Sequence, residues 1–484
     1  MVDTSSSGQD SRRAVSDPPH LEGGHLGRGP LVSLSLASFI PAVGMALLPI
    51  LMLSAAGPTA FMSALLTAVL VSCVGVSVIT FARRFVTSGS LYSYIGEVFG
   101  PWARYLTAAA LLVGYITQVG AIAGTVGIFS GSFLASRGMT GVLGAGVQSV
   151  IIVAAVIVAG AVAYRGLDTS VRVAVTLAVL SVPLMLVITV ASAAHTGLAL
   201  GTQFDFGATT PSGVLLGVAA GAAWLIGFES CTSMAAETKD PRRNVPWAVM
   251  SVPIVLGALY VLCTILQVPG LLAVSDQIAD GASAPAALAL GAGLGAGVAE
   301  ATDLVLAVAC FAALIGFVNY GARCIMAIAE DGLLPPAAAK IHPRFHSPHR
   351  ATVLMCVLGA AVMTVLIFLS GSITSAYTMV AALIAYAWCA PYVLISIGAV
   401  VLTTRLGERK PSVVIAAVIG ATGIAWTYVT GWITPPAPPA DSMRWFVLVA
   451  LAAALLVVVA SSRRNRTRSS APASDEAAVV SRSR

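Results

Sequence analysis

Charge is what this 484-residue chain has least of: Asp, Glu, Lys and Arg make up 10% of it, against 58% apolar residues. Mean hydropathy is +0.93. A soluble fold of this length cannot hide that much apolar surface, so the bilayer is the natural solvent. Histidine is scarce, and none of the six (His20, His25, His195, His342, His346, His349) falls inside an apolar run. That argues against an intramembrane metalloenzyme, and no metal or other cofactor is expected. The cysteines Cys73, Cys231, Cys263, Cys310, Cys324, Cys356 and Cys389 lie in or beside apolar runs and form no CxxC pair. They read as small buried hydrophobes, not disulfides or metal ligands. No GxxxxGK[ST] loop is present, so ATP is not used directly. No cleavable signal peptide is recognisable, and the first apolar run is expected to serve as its own insertion signal.

What is present is a set of apolar runs, each about 20 residues long, the length that crosses the hydrocarbon core. Twelve are expected: 31–53, 58–82, 101–130, 140–164, 172–193, 212–236, 246–268, 302–326, 351–370, 374–402, 412–432 and 443–461. Residues 1–30 and 462–484 are polar and are expected to be tails, the first disordered and the second basic. With the N-terminus placed inside, all 26 basic residues except Arg137 and Arg444 fall on the cytoplasmic side. This is the positive-inside pattern, and a missed or spurious helix would invert every later loop. It puts both termini in the cytoplasm and assigns the net charge of +6 to topology, not to nucleic acid. The loop 269–300, with Asp276, Asp280 and Glu300, falls outside, and 284–297 could form a short surface helix.

Glu229 is the exception to the apolar rule. In "AAWLIGFESCTSMAAE" (222–237), eight helical residues at about 1.5 Å each place it ~12 Å from the inner end of its run. A carboxylate near the midplane costs at least about 2.5 kcal/mol and usually faces a cavity or a partner. Gly227 and Ser230 flank it, and glycine loosens a helix that nearby hydroxyls can patch. The first run has a counterpart in "ASFIPAVGMALL" (37–48), where Pro41 removes a donor and Gly44 loosens the backbone. Interrupted first and sixth spans are what an inverted repeat of five plus five helices needs.

Three segments carry a family likeness. "GFESCTSMAAETKDPRRNVPWA" (227–248) combines a Gly-Phe-Glu with Glu237, Pro241, Arg243 and Pro246. "ARCIMAIAEDGLLPPAAAKIHPRFHSPH" (322–349) carries Arg323, Asp331, Gly332 and Pro335. "SGSLYSYIGEVFGPWARYLTAAALLVGY" (88–115) carries Gly89, Tyr92, Tyr94 and Gly100. Together they resemble amino acid permeases of the amino acid–polyamine–organocation superfamily, over about residues 31–460. The resemblance implies an all-α polytopic protein of the cell membrane with the leucine-transporter fold. Its repeats would span about 31–193 and 212–402, with helices 412–432 and 443–461 peripheral. It implies a secondary transporter, proton-coupled or exchange-driven, for an amino acid or related amine. The backbone at Ile40, Pro41, Ala42, Val43 and Gly44 and at Ile226, Gly227, Phe228 and Glu229 would bind the substrate, and Glu229 would couple protons.

Where many members carry Gly-Ser-Gly in the first break, this chain has Pro41-Ala42-Val43-Gly44. Ser181 stands where many proton-coupled members have a lysine, and 172–193 contains none. Sodium-coupled relatives use hydroxyls on the eighth span, yet no Ser or Thr lies between Asp303 and Arg323, so sodium coupling ranks last. Tyr115, Trp224 and Phe228 are gate candidates, with packing or an interfacial belt as the alternative. Glu237 or Glu97 facing Arg323 would form an inner gate. Two rivals remain. A sensor or vestigial transporter is separated only by an uptake measurement. A membrane-embedded enzyme would need several His, Asp or Glu around one cavity, where the spans supply essentially Glu229 alone. Neither the substrate nor the oligomeric state is legible.

Overall fold

The computed structural model describes residues 24, 26–279, 282–408 and 410–469, the side chains of 167–171, 174, 208, 468 and 469 excepted. Most of the two expected tails, and Asp280, lie outside the described residues. The chain runs through α1 (Arg28–Ser38), α2 (Pro41–Ala56), α3 (Ala60–Ala82), α4 (Leu91–Phe99), α5 (Pro101–Ser136), α6 (Ala145–Tyr164), α7 (Leu167–Thr196), α8 (Leu200–Gln203) and α9 (Pro211–Ala222). It continues through α10 (Pro241–Ser251), α11 (Gly257–Ala273), α12 (Ser275–Ala279), α13 (Ala284–Gly291), α14 (Ala296–Glu330), α15 (His349–Ser370), α16 (Ile373–Arg405), α17 (Pro411–Ile433) and α18 (Met443–Ser469). Among the described residues strand pairing is limited to one isolated bridge, Leu26 with Thr238.

Among the described residues, ten stretches are long and apolar enough to cross a membrane. The twelve runs read from the sequence do not map onto them one to one, for two physical reasons. The first two runs merge in Arg28–Ala82, because the turn Gly57–Thr59 between α2 and α3 is itself a 3₁₀ turn with proline at its start. The sixth run is too short to register. Helix α9 stops after 12 residues, and Phe228–Glu237 continues as a 3₁₀ helix.

Burial orders the bundle. The apolar windows of α5 and α14 are 89% and 72% buried, against 28% for α6 and 17% for the last stretch. Helices α5 and α14 are therefore the central pair, and α6, α17 and α18 form part of the lipid-facing surface.

Several helices carry internal prolines, and each deprives the carbonyl four residues back of its donor. In hydrocarbon such a carbonyl costs several kcal/mol unless the protein satisfies it. Pro49 interrupts α2, and Gln267 Nε2 of α11 donates to the freed Met45 carbonyl at 3.0 Å and to Thr189 Oγ1 of α7 at 2.8 Å. Pro269 interrupts α11, and Gln203 Nε2 donates to the freed Ile265 carbonyl at 2.9 Å. Two glutamines thus tie α11 to α2, α7 and α8. Gln267→Leu is expected to leave the Met45 carbonyl alone and to destabilise the protein by about 1–3 kcal/mol. A melting temperature equal to wild type in the same detergent would refute the role.

Candidate functional site

The first break lies between α1 and α2. Ile40 has φ +40° and ψ +75°, in the left-handed region that a β-branched residue rarely enters. The following Pro41 favours extended backbone at the residue before it, so the proline does not account for the left-handed geometry. Such a conformation costs on the order of 1–3 kcal/mol and persists only where the surroundings enforce it. Here Ile40 is buried, and its carbonyl accepts from Val43 N at 3.0 Å and Gly44 N at 3.1 Å, starting α2.

The second break lies between α9 and the 3₁₀ helix. Gly227 has φ +86°, which only glycine adopts at no cost. A Cβ there would also come within 3.1 Å of the Phe317 ring. Ten residues of 3₁₀ helix is unusually long, and such stretches often mark a functional hinge. Among the described residues nothing donates to the carbonyls of Phe39, Leu225 or Ile226. These are backbone acceptors kept away from water without partners.

Both breaks press on α14. Phe39 meets Phe317 edge-on, ring centroids 5.3 Å apart. Gly316 leaves room for the Ser38 side chain, whose Oγ lies 3.1 Å from Tyr320 Oη. One ring, Phe317, therefore touches the end of α1 and the opened backbone at Gly227.

Glu229 is fully buried and held by α16. Trp388 Nε1 donates to Oε1 at 2.9 Å, and Tyr392 Oη donates to Oε2 at 2.7 Å. The same Tyr392 oxygen accepts from Gly227 N at 2.7 Å. One phenol thus satisfies the carboxylate and a backbone group freed by the break. Residues 388 and 392 are one helical turn apart, so both face Glu229 together.

The other expected site residues fall as follows. Pro41, Ala42, Val43, Gly44 and Ile226 are all buried at the breaks. Gly44 owes its lack of a side chain to α11: the Tyr260 hydroxyl fills the space a Cβ would take. Phe228 turns away from the breaks, its ring near Gly75 of α3 and 5.8 Å from the Tyr392 ring. Tyr115 Oη donates to Ser230 Oγ at 2.9 Å, and its ring meets Trp388 edge-on at 5.2 Å. Trp224 lies 6.4 Å from the Tyr377 ring, about 16 Å along α16 from Trp388 at 1.5 Å per residue. Ser181 is buried and donates to the Ala178 carbonyl.

At the end of the 3₁₀ stretch, Arg323 and Glu237 form a buried pair, with side chains 2% and 3% exposed. Arg323 Nε reaches both carboxylate oxygens at 3.1 Å, Nη2 reaches Oε1 at 2.9 Å, and Nη1 reaches Asn319 Oδ1 at 2.9 Å. The Glu237 carbonyl accepts from Leu26 N, and Lys239 N donates back to the Leu26 carbonyl. Glu97 is elsewhere: it lies 3.7 Å from Arg104, at the start of α5. The structure thus brings Glu237, not Glu97, to Arg323. Sequence reasoning missed Trp388, Tyr392, Phe317 and Tyr260. The one available signal was a pair of polar-tipped aromatics spaced i, i+4 around Pro391 in an otherwise apolar run.

The family model described as amino acid permease matches residues 31–459. An uncharacterized transporter of Mycobacterium tuberculosis is 26% identical over 310 residues, 63% of this chain and 66% of its own length. The chain therefore matches just under two thirds of that relative. A methylthioribose transporter of Bacillus subtilis is 24% identical over 410 residues, 78% of this chain and 84% of its own length. Among solved structures, a substrate-bound, outward-open Na+-coupled sialic acid symporter has the same fold, with a TM-score of 0.55 at 14% identity, over 86% of this chain and 90% of that one.

The Tyr392 phenol predicts coupling between two positions. Tyr392→Phe should cost about 1–3 kcal/mol for each group left alone. Glu229→Gln should then cost less in the Tyr392→Phe background than in wild type, because neighbours in one network are not additive. Strictly additive melting-temperature losses would show that the two side chains act independently.

Proposed function

We propose that this chain, which belongs to the amino acid permease family, moves an amino acid or related amine across the cell membrane by alternating access. The observation that carries the reading is the meeting of two opened helices, Ile40–Gly44 and Ile226–Glu229, at a buried carboxylate. Backbone carbonyls without donors suit a substrate ammonium group. The start of α2, where the helix dipole is positive, suits a carboxylate, although Pro41 itself has no N–H to offer.

Twelve crossings follow if Arg28–Ala82 is counted as two around its turn and α9 with its 3₁₀ continuation as one. An inverted repeat of five plus five is supported by matching elements. Each half opens on a broken helix. The third crossing in each half is a long central one, α5 with 36 residues and α14 with 35. The Arg323–Glu237 pair closes the inner side and Trp224 with Tyr377 the outer. Alternation requires these closures to open in turn, as charged and packed contacts at such switches do.

Glu229 is the proton-coupling candidate, since exchange of its proton would change what Trp388 and Tyr392 hold. The sialic acid symporter's sodium coupling is not carried over, because α14 has no Ser or Thr between Asp303 and Arg323.

Reconstituted protein should take up a radiolabelled amino acid, faster under an inward proton gradient, and Glu229→Gln should flatten the dependence on pH between about 5 and 8. Unchanged pH dependence in that variant would remove Glu229 from coupling. Gly227→Leu should abolish substrate binding while the protein still inserts and purifies. In a cysteine-free background, a cysteine at Asp276 should be labelled by an impermeant maleimide from outside and one at Lys239 only from inside. The reverse pattern would overturn the orientation.

A further inference from the structure

One motif has no part in the transport site. Pro241-Arg242-Arg243-Asn244-Val245-Pro246 opens α10, and its two arginines are exposed. They line a recess of about 400 Å³ together with Arg83 at the end of α3, and its other walls are apolar or aromatic: Ile79, Pro246, Trp247 and Met250. Trp247 is 56% exposed, and Arg28 at the start of α1 stacks on its ring at 4.2 Å.

What sets these arginines apart is the absence of partners. Other cations at the same end of the bundle are paired: Arg84 and Lys410 with Glu408, Arg104 with Glu97 and Asp331, and Arg323 with Glu237. Among the described residues Arg83, Arg242 and Arg243 have no carboxylate within ion-pair range and make no side-chain hydrogen bond. Three guanidinium groups from two helices, converging on an apolar recess beside an exposed indole, suit an amphiphile with an anionic phosphate head. Arginine matches phosphate in a planar, bidentate way, and exposed tryptophan sits at headgroup level. Basic pockets between membrane helices take such headgroups.

We infer that the recess between α3 and α10 is a binding site for an anionic phospholipid, its phosphate on Arg83, Arg242 and Arg243 and the upper part of an acyl chain against Ile79 and Met250. Because Arg28 stacks on Trp247, a lipid in the recess would lie one side chain away from the start of α1, the helix that ends at the first break.

Native mass spectrometry of the full chain, delipidated and then mixed with dioleoylphosphatidylglycerol or dioleoylphosphatidylcholine, tests the assignment. Wild type should retain phosphatidylglycerol in preference to phosphatidylcholine, and each arginine changed to Gln should reduce that preference roughly fivefold, the factor expected per basic residue near an anionic surface. Ile79→Trp, which fills the recess without altering charge, should lose the bound phosphatidylglycerol. Arg463→Gln with Arg464→Gln, equally basic positions on α18, should leave the preference unchanged. Equal retention of both lipids by wild type, an undiminished preference in the triple Arg→Gln variant, or a comparable loss from the α18 pair would each overturn the site. So would inorganic phosphate displacing the lipid at equal concentration, since the recess would then hold a headgroup without its chain.

Discussion

The hydroxyl of Tyr392 carries more of this structure than any other single atom. A helix opened inside a membrane exposes peptide groups that water cannot reach, and a carboxylate beside it adds a charge that water cannot solvate. Both problems meet at Gly227 and Glu229, and one phenol answers both by accepting from the first and donating to the second. Because Tyr392 belongs to α16, the state of the opened sixth crossing is tied to a helix far away in sequence. Trp388, one turn earlier, adds the second donor to Glu229 and turns its ring edge towards Tyr115. Helices α5, α16 and the 3₁₀ stretch are therefore linked through one carboxylate.

The Arg323–Glu237 pair obeys a different logic. Arg323 and Glu237 are almost wholly buried, and a buried ion pair repays its desolvation only when its remaining hydrogen-bonding groups are also satisfied. Asn319 supplies such contacts to Arg323 Nη1, while the Leu26 backbone holds the Glu237 main chain. Trp224 and Tyr377 make a contact of another kind, two packed rings 6.4 Å apart. Two of the proline-interrupted helices, α2 and α11, are held in place by glutamines, so that local irregularity there does not become general looseness.

Much of this could be read along the chain because the signals concerned were local. Apolar runs need only a length, and the sidedness of arginine needs only a count. Both interrupted helices announced themselves, one through Pro41 and one through Gly227, since proline and glycine act on their own backbone. The choice of Glu237 over Glu97 as the partner of Arg323 was not legible, because both acids lie near the same end of the bundle. Only the packing of the 3₁₀ stretch against α14 selects between them. Gly44 had a plausible reading as a ligand's backbone contact, whereas its neighbour is the Tyr260 hydroxyl from α11.

By itself the sequence determined that the chain lives in a membrane, where its helices interrupt, and that one acid lies among apolar residues. Those properties depend on solvent preference and on backbone chemistry within a few residues. The tertiary structure alone decided what that acid touches, which ring seals which break, and where orphaned carbonyls find donors. Those contacts join residues 39 with 317, 45 with 267 and 229 with 392. Nothing in a one-dimensional pattern specifies which of many buried polar groups will meet, because that is set by how whole helices cross in space.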